Sequence, residues 1–177
     1  MSKKDPRYFA PIYEKYYEQI FMFVYKRIDE EEATADVTSR IFLKCLKNID
    51  RYQFRGVPFS AWLYRIAINE VNQYFRDEKK KDRVVNLESH HVNVLFEEME
   101  LLEIQEEPEV VVAKLLGTLK PEEVQYLELR FFEGQSFKEM GFLLGISEVN
   151  AKVKTYRILK KLRTRAEELN LINSERG

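Results

Sequence analysis

Apolar positions in the first half of the chain recur at spacings of three and four residues, which is the period of an amphipathic α-helix. The pattern predicts three helices, over about residues 6–28, 30–49 and 59–81, with the Gly- and Pro-containing stretch 50–58 as a loop. Asp5-Pro6 supplies the N-cap and the first position of the first helix. Because no alternating strand pattern of useful length appears, this block is predicted to be all-α.

The final third of the chain has the same period in shorter segments, which predict helices over about residues 109–117, 121–132, 136–144 and 147–169. Only Gly145-Ile146 separates the last two, and Ser147 is a suitable N-cap. Two helices joined by such a turn, the second of them basic, are typical of a helix-turn-helix. On the last helix the pattern predicts a core-facing stripe at Val149, Val153, Tyr156, Leu159 and Leu162.

Together these patterns predict an all-α fold of two small helical domains, over residues 1–83 and 109–177, joined by an acidic linker over 84–108. The linker contains the sequence VNVLFEEMELLEI, which can form a turn or two of amphipathic helix. Its glutamate density favours solvent exposure or contact with something basic.

The distribution of charge along the chain adds a functional indication that the net charge does not show. Residues 1–83 hold 17 Lys and Arg against 13 Asp and Glu, and residues 110–177 hold 12 against 9. Residues 84–109 hold eight glutamates and no Lys or Arg, so the chain has a formal net charge of only −1. Two basic blocks joined by an acidic one indicate polyanion binding more strongly than the whole-chain pI of about 6.2 does.

Composition excludes several other classes of protein. Hydrophobic residues make up 45% of the chain and charged residues 33%, with only 6 Gly and 5 Pro, which excludes collagen-like and disordered chains. No stretch approaches the ~20 apolar residues of a membrane span, and the start lacks the apolar core of a signal peptide. One cysteine, Cys45, allows no internal disulfide, so a cytoplasmic location without membrane contact is expected.

The last predicted helix carries side chains suited to duplex DNA. Asparagine can pair with adenine, and lysine or arginine with guanine or phosphate, which makes Asn150, Lys152, Lys154 and Arg157 candidates. The alternative is a solvated basic face on a surface helix.

A second pattern, FRGVPFSAWLYRIAINEVNQYFRDEKKK, interleaves aromatic and basic residues. Aromatic rings stack on unpaired bases while cations follow the phosphates, so the pattern is compatible with single-strand binding. The alternative is that the aromatic side chains form the core, which is favoured for Trp62 and Phe75.

Catalysis and metal binding find little support in the sequence. His90 and His91 are adjacent, so they are not expected to face one metal from a helix, and Cys45 lies on an apolar helical face. None of the HExxH, GxSxG, CxxC or Gly-rich phosphate-binding motifs occurs. No catalytic residue, metal or cofactor is predicted, and a helical enzyme is the weakest hypothesis.

The two patterns, in this order, resemble the sigma-70 family of bacterial transcription initiation factors, in its short extracytoplasmic-function (ECF) group. The first block resembles region 2 in ADVTSRIFLKCLKNIDRYQFRG and FSAWLYRIAIN, and the last resembles region 4 in LKPEEVQYLELRFFEGQSFKEMGFLLGISEVNAKVKTYRILKKLR. The resemblance covers nearly the whole chain apart from the extreme termini and the linker. It implies a cytoplasmic protein that binds core RNA polymerase, through the β′ clamp helices and β flap, and promoter DNA. An anti-sigma protein is a further partner that the family leaves open.

The resemblance also implies roles for individual residues. The set expected to dock on polymerase is Asp36, Thr38, Ser39, Arg40 and Leu43. The set expected at the single-stranded −10 element is Phe54, Arg55 and Asn69, to which the aromatic and basic pattern adds Trp62, Arg65 and Arg76. The set expected at the double-stranded −35 element is Arg130, Asn150, Lys152, Lys154, Tyr156 and Arg157. The acidic linker corresponds to a segment that follows the polymerase channel and mimics nucleic acid.

Three departures from the family pattern bear on these roles. Ser39-Arg40 stands where Gln-Glu is usual, which reverses a charge, and Gln73 stands where Asp is common. The stretch from Gly56 to Phe59 is one residue short and contains Pro58. A stand-alone helix-turn-helix regulator, which would bind duplex DNA without polymerase, is the alternative hypothesis.

Overall fold

The computed structural model describes residues 9–78, 88–101 and 106–171. These residues form helices and connecting turns without a strand, and none of their helices is long and apolar enough to cross a membrane. The chain divides into two compact units, residues 1–86 and 87–177.

The first unit is a bundle of α1 (Ala10–Ile28), α2 (Glu31–Asn48) and α3 (Phe59–Asp77), in which every helix contacts the other two. The predicted helices are confirmed, although α3 ends four residues earlier than expected. The predicted cap Asp5-Pro6 lies outside the described residues. Instead of a Ser or Asp, the side chain of Glu30 caps α2 by accepting hydrogen bonds from the backbone N–H groups of Glu32 and Ala33, over 2.9 and 2.6 Å.

The core of the first unit lies where the apolar faces of the three helices meet. The ring of Phe23 on α1 packs edge-on against Tyr64 on α3, with their centroids 5.0 Å apart. Lys44 on α2 forms an ion pair with Glu70 on α3, whose side chain is almost completely buried. The fully or nearly fully buried apolar residues include Ile20, Val24, Val37, Ile41, Cys45, Leu63, Ala67 and Val71.

The second unit contains α4 (Ser89–Met99), α5 (Pro108–Gly117), α6 (Pro121–Leu127), α7 (Phe137–Leu144) and α8 (Glu148–Glu168). The predicted helix over 121–132 is α6 followed by a π-helical turn, Glu128–Phe132. α8 is the centre of this unit, since it contacts α4, α5, α6 and α7.

The predicted linker contains a longer and more buried helix than the sequence indicated. α4 spans three turns, and its apolar face, His91, Val92, Leu95 and Met99, is buried. The ring of His91 stacks on Phe132 at 4.4 Å, and Glu100 just after the helix accepts a 2.8 Å hydrogen bond from Arg163 of α8. Among the described residues, Glu88, Glu97, Glu98 and Glu100 are exposed, so the expectation of solvent exposure holds for these glutamates but not for the helix as a whole.

Candidate nucleic-acid interface

A short turn fixes the geometry between α7 and α8. Ser136 begins α7 in a capping box, in which its Oγ accepts from the N–H of Glu139 at 3.2 Å and its own N–H donates to the Glu139 carboxylate at 2.7 Å. Gly145 ends α7 with φ +68°, a conformation that glycine adopts without strain. Ser147 then caps α8 by accepting from the N–H of Asn150 at 3.2 Å. The predicted helix-turn-helix is therefore present.

The buried face of α8 differs from the predicted one. Val149 is 69% exposed, Val153 40% and Tyr156 48%, so the prediction that they face the core is wrong. The buried stripe consists of Ala151, Thr155, Ile158, Leu159, Leu162 and Ala166. Both sets have helical spacing, and the contacts of α8 with the other helices of the unit decide which one is inside.

The side chains predicted to bind the −35 element share the exposed face of α8. Asn150, Lys152, Lys154, Tyr156 and Arg157 are all exposed there. Arg130 reaches the same region from the π-helical turn, where its Nη1 donates to the carbonyl of Gln135 at 3.0 Å. Its guanidinium lies 4.6 Å from the ring centroid of Phe137, which is in turn 6.1 Å from that of Tyr156. The structure thus brings Arg130 close to Tyr156 through Phe137, and it exposes all five predicted residues of α8, with Lys152 and Lys154 on opposite sides of the helix.

A cleft in the first unit contains three of the residues predicted for the −10 element. Its volume is about 290 Å³, and its lining is Asn48, Arg51, Trp62, Arg65, Ile66 and Asn69. Trp62 is half-buried, and its ring packs against Tyr52 at 5.3 Å and Phe59 at 5.4 Å. The expectation that Trp62 belongs to the core is therefore only partly correct, because one part of the ring lines the cleft.

Sequence reasoning missed three residues of this cleft, which are Ile66 on α3, Asn48 and Arg51. Asn48 ends α2 and Arg51 lies in the short 3-10 turn that follows. Arg51 adds a second guanidinium to that of Arg65. The pattern along α3 contained no signal for Asn48 or Arg51, because they do not come from that helix.

The remaining predicted −10 residues lie apart from the cleft lining. Phe54, in the loop before α3, is 73% exposed, and Arg55 beside it is also exposed. Arg76, in the last turn of α3, donates to the side-chain oxygen of Gln73 at 2.6 Å, while the Gln73 amide donates to Asp77 at 2.6 Å. The glutamine that departs from the family pattern therefore bridges a cation and a carboxylate on the surface.

The predicted polymerase-binding residues divide by burial. Asp36, Ser39, Arg40 and Leu43 form an exposed face of α2, where Leu43 is 54% exposed. Thr38 is completely buried, so a direct contact between its side chain and a partner does not fit the structure. Thr38 lies on the inner face of α2, in line with Thr34 and Ile41, which explains why it is buried while the other four residues are exposed.

The structure also brings three metal-ligating groups together. The ligand atoms of Glu88, His90 and His91 lie within 4.8 Å of one another, which contradicts the expectation that the two adjacent histidines do not both face one metal position. His91 is nearly fully buried against Phe132, and the other two residues are exposed at the start of α4. The ring packing accounts for the position of His91, so the cluster does not by itself establish a metal site.

Comparison with known proteins matches both units to one family. The model of Sigma-70 region 2 matches residues 12–81, and the model of Sigma-70, region 4 matches residues 110–162. The chain is 26% identical to ECF RNA polymerase sigma factor BldN of Streptomyces coelicolor, over 87% of this chain and 58% of the longer relative. It is 27% identical to RNA polymerase sigma factor YlaC of Bacillus subtilis, over 89% and 92% of the two chains. ECF RNA polymerase sigma factor SigW of the same species is 24% identical over 96% and 94%.

A solved structure has a similar fold. It is described as CnrH in complex with the cytosolic domain of CnrY, and it aligns with a TM-score of 0.59 at 19% identity, covering 93% of this chain and 90% of that one.

Proposed function

Since this chain belongs to the ECF group of the sigma-70 family, we propose that it binds core RNA polymerase, directs the enzyme to a subset of promoters and helps to open the duplex. The observation that carries the proposal is the order of the two matched regions, region 2 followed by region 4. A stand-alone helix-turn-helix regulator would need only the second of them. The chain acts by binding, in the bacterial cytoplasm, and no catalysis is assigned to it.

In this proposal α8 enters the major groove of the −35 element. Helix-turn-helix proteins place the N-terminal part of the second helix against base edges and hold the flanking phosphates with basic side chains. Asn150, Lys152, Lys154 and Arg157 supply those groups, and Arg130 and Tyr156 extend the same surface. Such contacts bind the duplex without opening it.

The cleft between α2 and α3 is proposed to act on the −10 element. A base that leaves the stack costs a few kcal/mol, and a preformed pocket repays that cost without ATP. The half-buried ring of Trp62 offers a stacking surface, Arg65 and Arg51 offer cations for phosphates, and the Asn69 amide can hydrogen-bond a base edge. Phe54, Arg55 and Arg76 are proposed to contact the strand outside the cleft.

The exposed face of α2 is proposed to dock on polymerase. Leu43 places an apolar side chain beside Asp36, Ser39 and Arg40, and a partly apolar patch with mixed charges suits a protein surface better than a polyanion. The β′ clamp helices are the proposed partner for this face, and the β flap for the second unit.

A protein that holds the factor inactive is a further proposed partner. The similar structure, CnrH, was solved with the cytosolic domain of CnrY, which supports a search for such a protein. Co-purification of the tagged chain from its own host under several growth conditions would identify a candidate, and one that also blocks core binding would fulfil the role.

Reconstitution tests the main proposal. Core polymerase with this chain should produce specific run-off transcripts from genomic fragments, whereas core alone should not. Leu43→Asp should abolish binding to core, while Met22→Asp, at a similarly exposed apolar side chain on α1, serves as the matched control. If the chain binds specific duplexes but never core polymerase, the stand-alone regulator is correct.

A further inference from the structure

An exposed apolar pair lies on the surface that is proposed to bind the −35 element. Val149 and Val153 are 69% and 40% exposed and are one helical turn apart in the first half of α8. Valine is a poor choice for an exposed helical position, because it has lower helix propensity than alanine and exposes apolar surface to water. A bound partner that covers these side chains would account for them.

The arrangement of charges around the pair indicates what that partner is. At about 100° of rotation per residue, Val153 lies about 180° around the helix axis from the middle of the buried stripe. Val149 and Arg157 lie about 40° to either side of Val153, while Lys152 and Lys154 lie about 100° away on opposite flanks. The exposed face therefore has a partly apolar midline with a cation on each flank.

This arrangement matches the major groove of DNA. Phosphates border the groove on both sides, which suits Lys152 and Lys154, and base edges form its floor. The apolar group on that floor is the 5-methyl of thymine, which small apolar side chains contact. We infer that Val149 and Val153 contact thymine methyl groups of the −35 element and so contribute to promoter specificity. This inference rests on the proposed function.

The experiment removes only the methyl group. Holoenzyme made with this chain first selects its sites from promoter duplexes randomised across the −35 segment. Each thymine of the selected −35 site, on both strands, is then replaced by uracil, and the dissociation constant of the holoenzyme is measured by competition. Three forms of the chain are compared: wild type, the double variant Val149→Ala/Val153→Ala, and the control Val110→Ala, which alters an exposed valine on α5.

The expected result is a specific loss of discrimination. Uracil at one or two positions should weaken wild-type binding about fourfold for each buried methyl, and Val110→Ala should behave like wild type. The double variant should lose most of this discrimination, because each substitution removes two of the methyl groups that contact the thymine. Its thermal stability should equal or slightly exceed that of wild type, because alanine has the higher helix propensity.

Several outcomes would overturn the inference. These are a selected site without thymine, a wild type that is insensitive to uracil at every position, or a double variant that keeps the wild-type sensitivity. A double variant that loses affinity for core polymerase instead would assign the pair to a protein contact. Specific initiation together with uracil insensitivity overturns only this inference, whereas the absence of any selected promoter overturns the proposed function as well.

Discussion

Lys161 on α8 donates hydrogen bonds to both carboxylate oxygens of Glu123 on α6, over 2.9 and 2.8 Å, and so joins the two helices through residues that are 38 positions apart. These bonds are the main reason that the pKa of Glu123 lies below its ordinary value of 4.5, and the backbone N–H of Lys120 adds to the effect. The ionised carboxylate is therefore the form that holds α6 against α8.

Glu123→Gln is expected to change how the stability of the chain depends on pH. A carboxyl group whose pKa is lower in the folded chain stabilises it fully above the unfolded pKa, and the stabilisation disappears as the pH falls through the folded pKa. The difference in free energy of unfolding between wild type and variant should be largest at neutral pH and shrink below about pH 4.5. Urea unfolding at a series of pH values measures it. Lys161→Gln removes the main hydrogen-bond donor to Glu123, so its loss of stability relative to wild type should have the same pH dependence. A loss of stability that does not change with pH in either variant would contradict the assignment.

Gly141→Ala is expected to destabilise the helix-turn-helix. A Cβ at this position would lie 2.8 Å from the carbonyl oxygen of Ile146 and 3.1 Å from the backbone nitrogen of Glu148, so the turn would have to move. The loss should be about 1–3 kcal/mol, measured by urea unfolding. At Gly117, the last residue of α5, the added Cβ meets no atom within 4 Å. Gly117→Ala should therefore be neutral or stabilise by roughly 0.4–1 kcal/mol, and equal effects at both positions would refute the steric argument.

Lys152→Ala and Arg157→Ala should weaken promoter binding in different ways. Lys152 lies on a flank of α8, so its loss should affect all sequences alike and lower the slope of log K against log salt by about one unit. Arg157 lies near the midline, so its loss should cost about 1–3 kcal/mol and relax specificity at one base pair. Holoenzyme binding to matched and mismatched promoters over a salt series separates the two effects. Lys114→Ala, at an α5 lysine that pairs with Glu106, is the control. Unchanged −35 dependence in both variants would show that α8 is only a solvated face.

Asn69→Ala is expected to spare the closed complex and slow strand opening, because a pocket stabilises a base only after it has left the stack. An amide that bonds a base edge contributes about 1–3 kcal/mol, or roughly tenfold to a hundredfold in the opening equilibrium. Permanganate reactivity of the −10 thymines should fall on a normal duplex and recover on a template that is already melted. Asn69 is exposed, so thermal stability should change little. An equal defect on both templates would exclude the pocket.

Cys45 should report on the opening of the first unit. Cys45 is completely buried, and this burial raises the pKa of its thiol to about 12. Since the thiolate is the reactive form, an alkylating reagent at pH 8 should label native protein very slowly. Labelling should accelerate in urea together with the loss of helical signal from α1 to α3. Rapid labelling in native buffer would show that the packing around Cys45 opens readily.

The periodicity of the sequence was enough to predict most helices to within a few residues, but not which residues face inward on α8. Two apolar sets on that helix have helical spacing, and only the neighbouring helices distinguish them. One of those neighbours is α4, which was predicted only as a turn or two of helix in an exposed linker. That prediction relied on the number of glutamates and did not consider on which face of the helix they lie. Burial of His91 and Leu95 on the opposite face depends on contacts far apart in sequence.

Most of the residues that α3 contributes to the candidate cleft could be predicted from the sequence, but those contributed by the end of α2 could not. Trp62, Arg65 and Asn69 have spacings of three and four, so a shared face of α3 follows from the sequence. Asn48 and Arg51 join them through the packing of α2 on α3, which no local pattern encodes. The polymerase contact expected for Thr38 does not fit its burial for a related reason. That expectation came from a resemblance, which does not distinguish the inner from the outer face of α2.

The capping of α7 and α8 by Ser136 and Ser147 has a consequence for how quickly this part of the chain folds. Each cap is a hydrogen bond between residues three positions apart, and the two helices are adjacent in sequence. The contacts that form this helix pair are therefore local in the sequence. Chains rich in local contacts fold in microseconds to milliseconds. Ribosomes add only about 5–20 residues per second, so we expect this helix pair to form as soon as its last turn emerges.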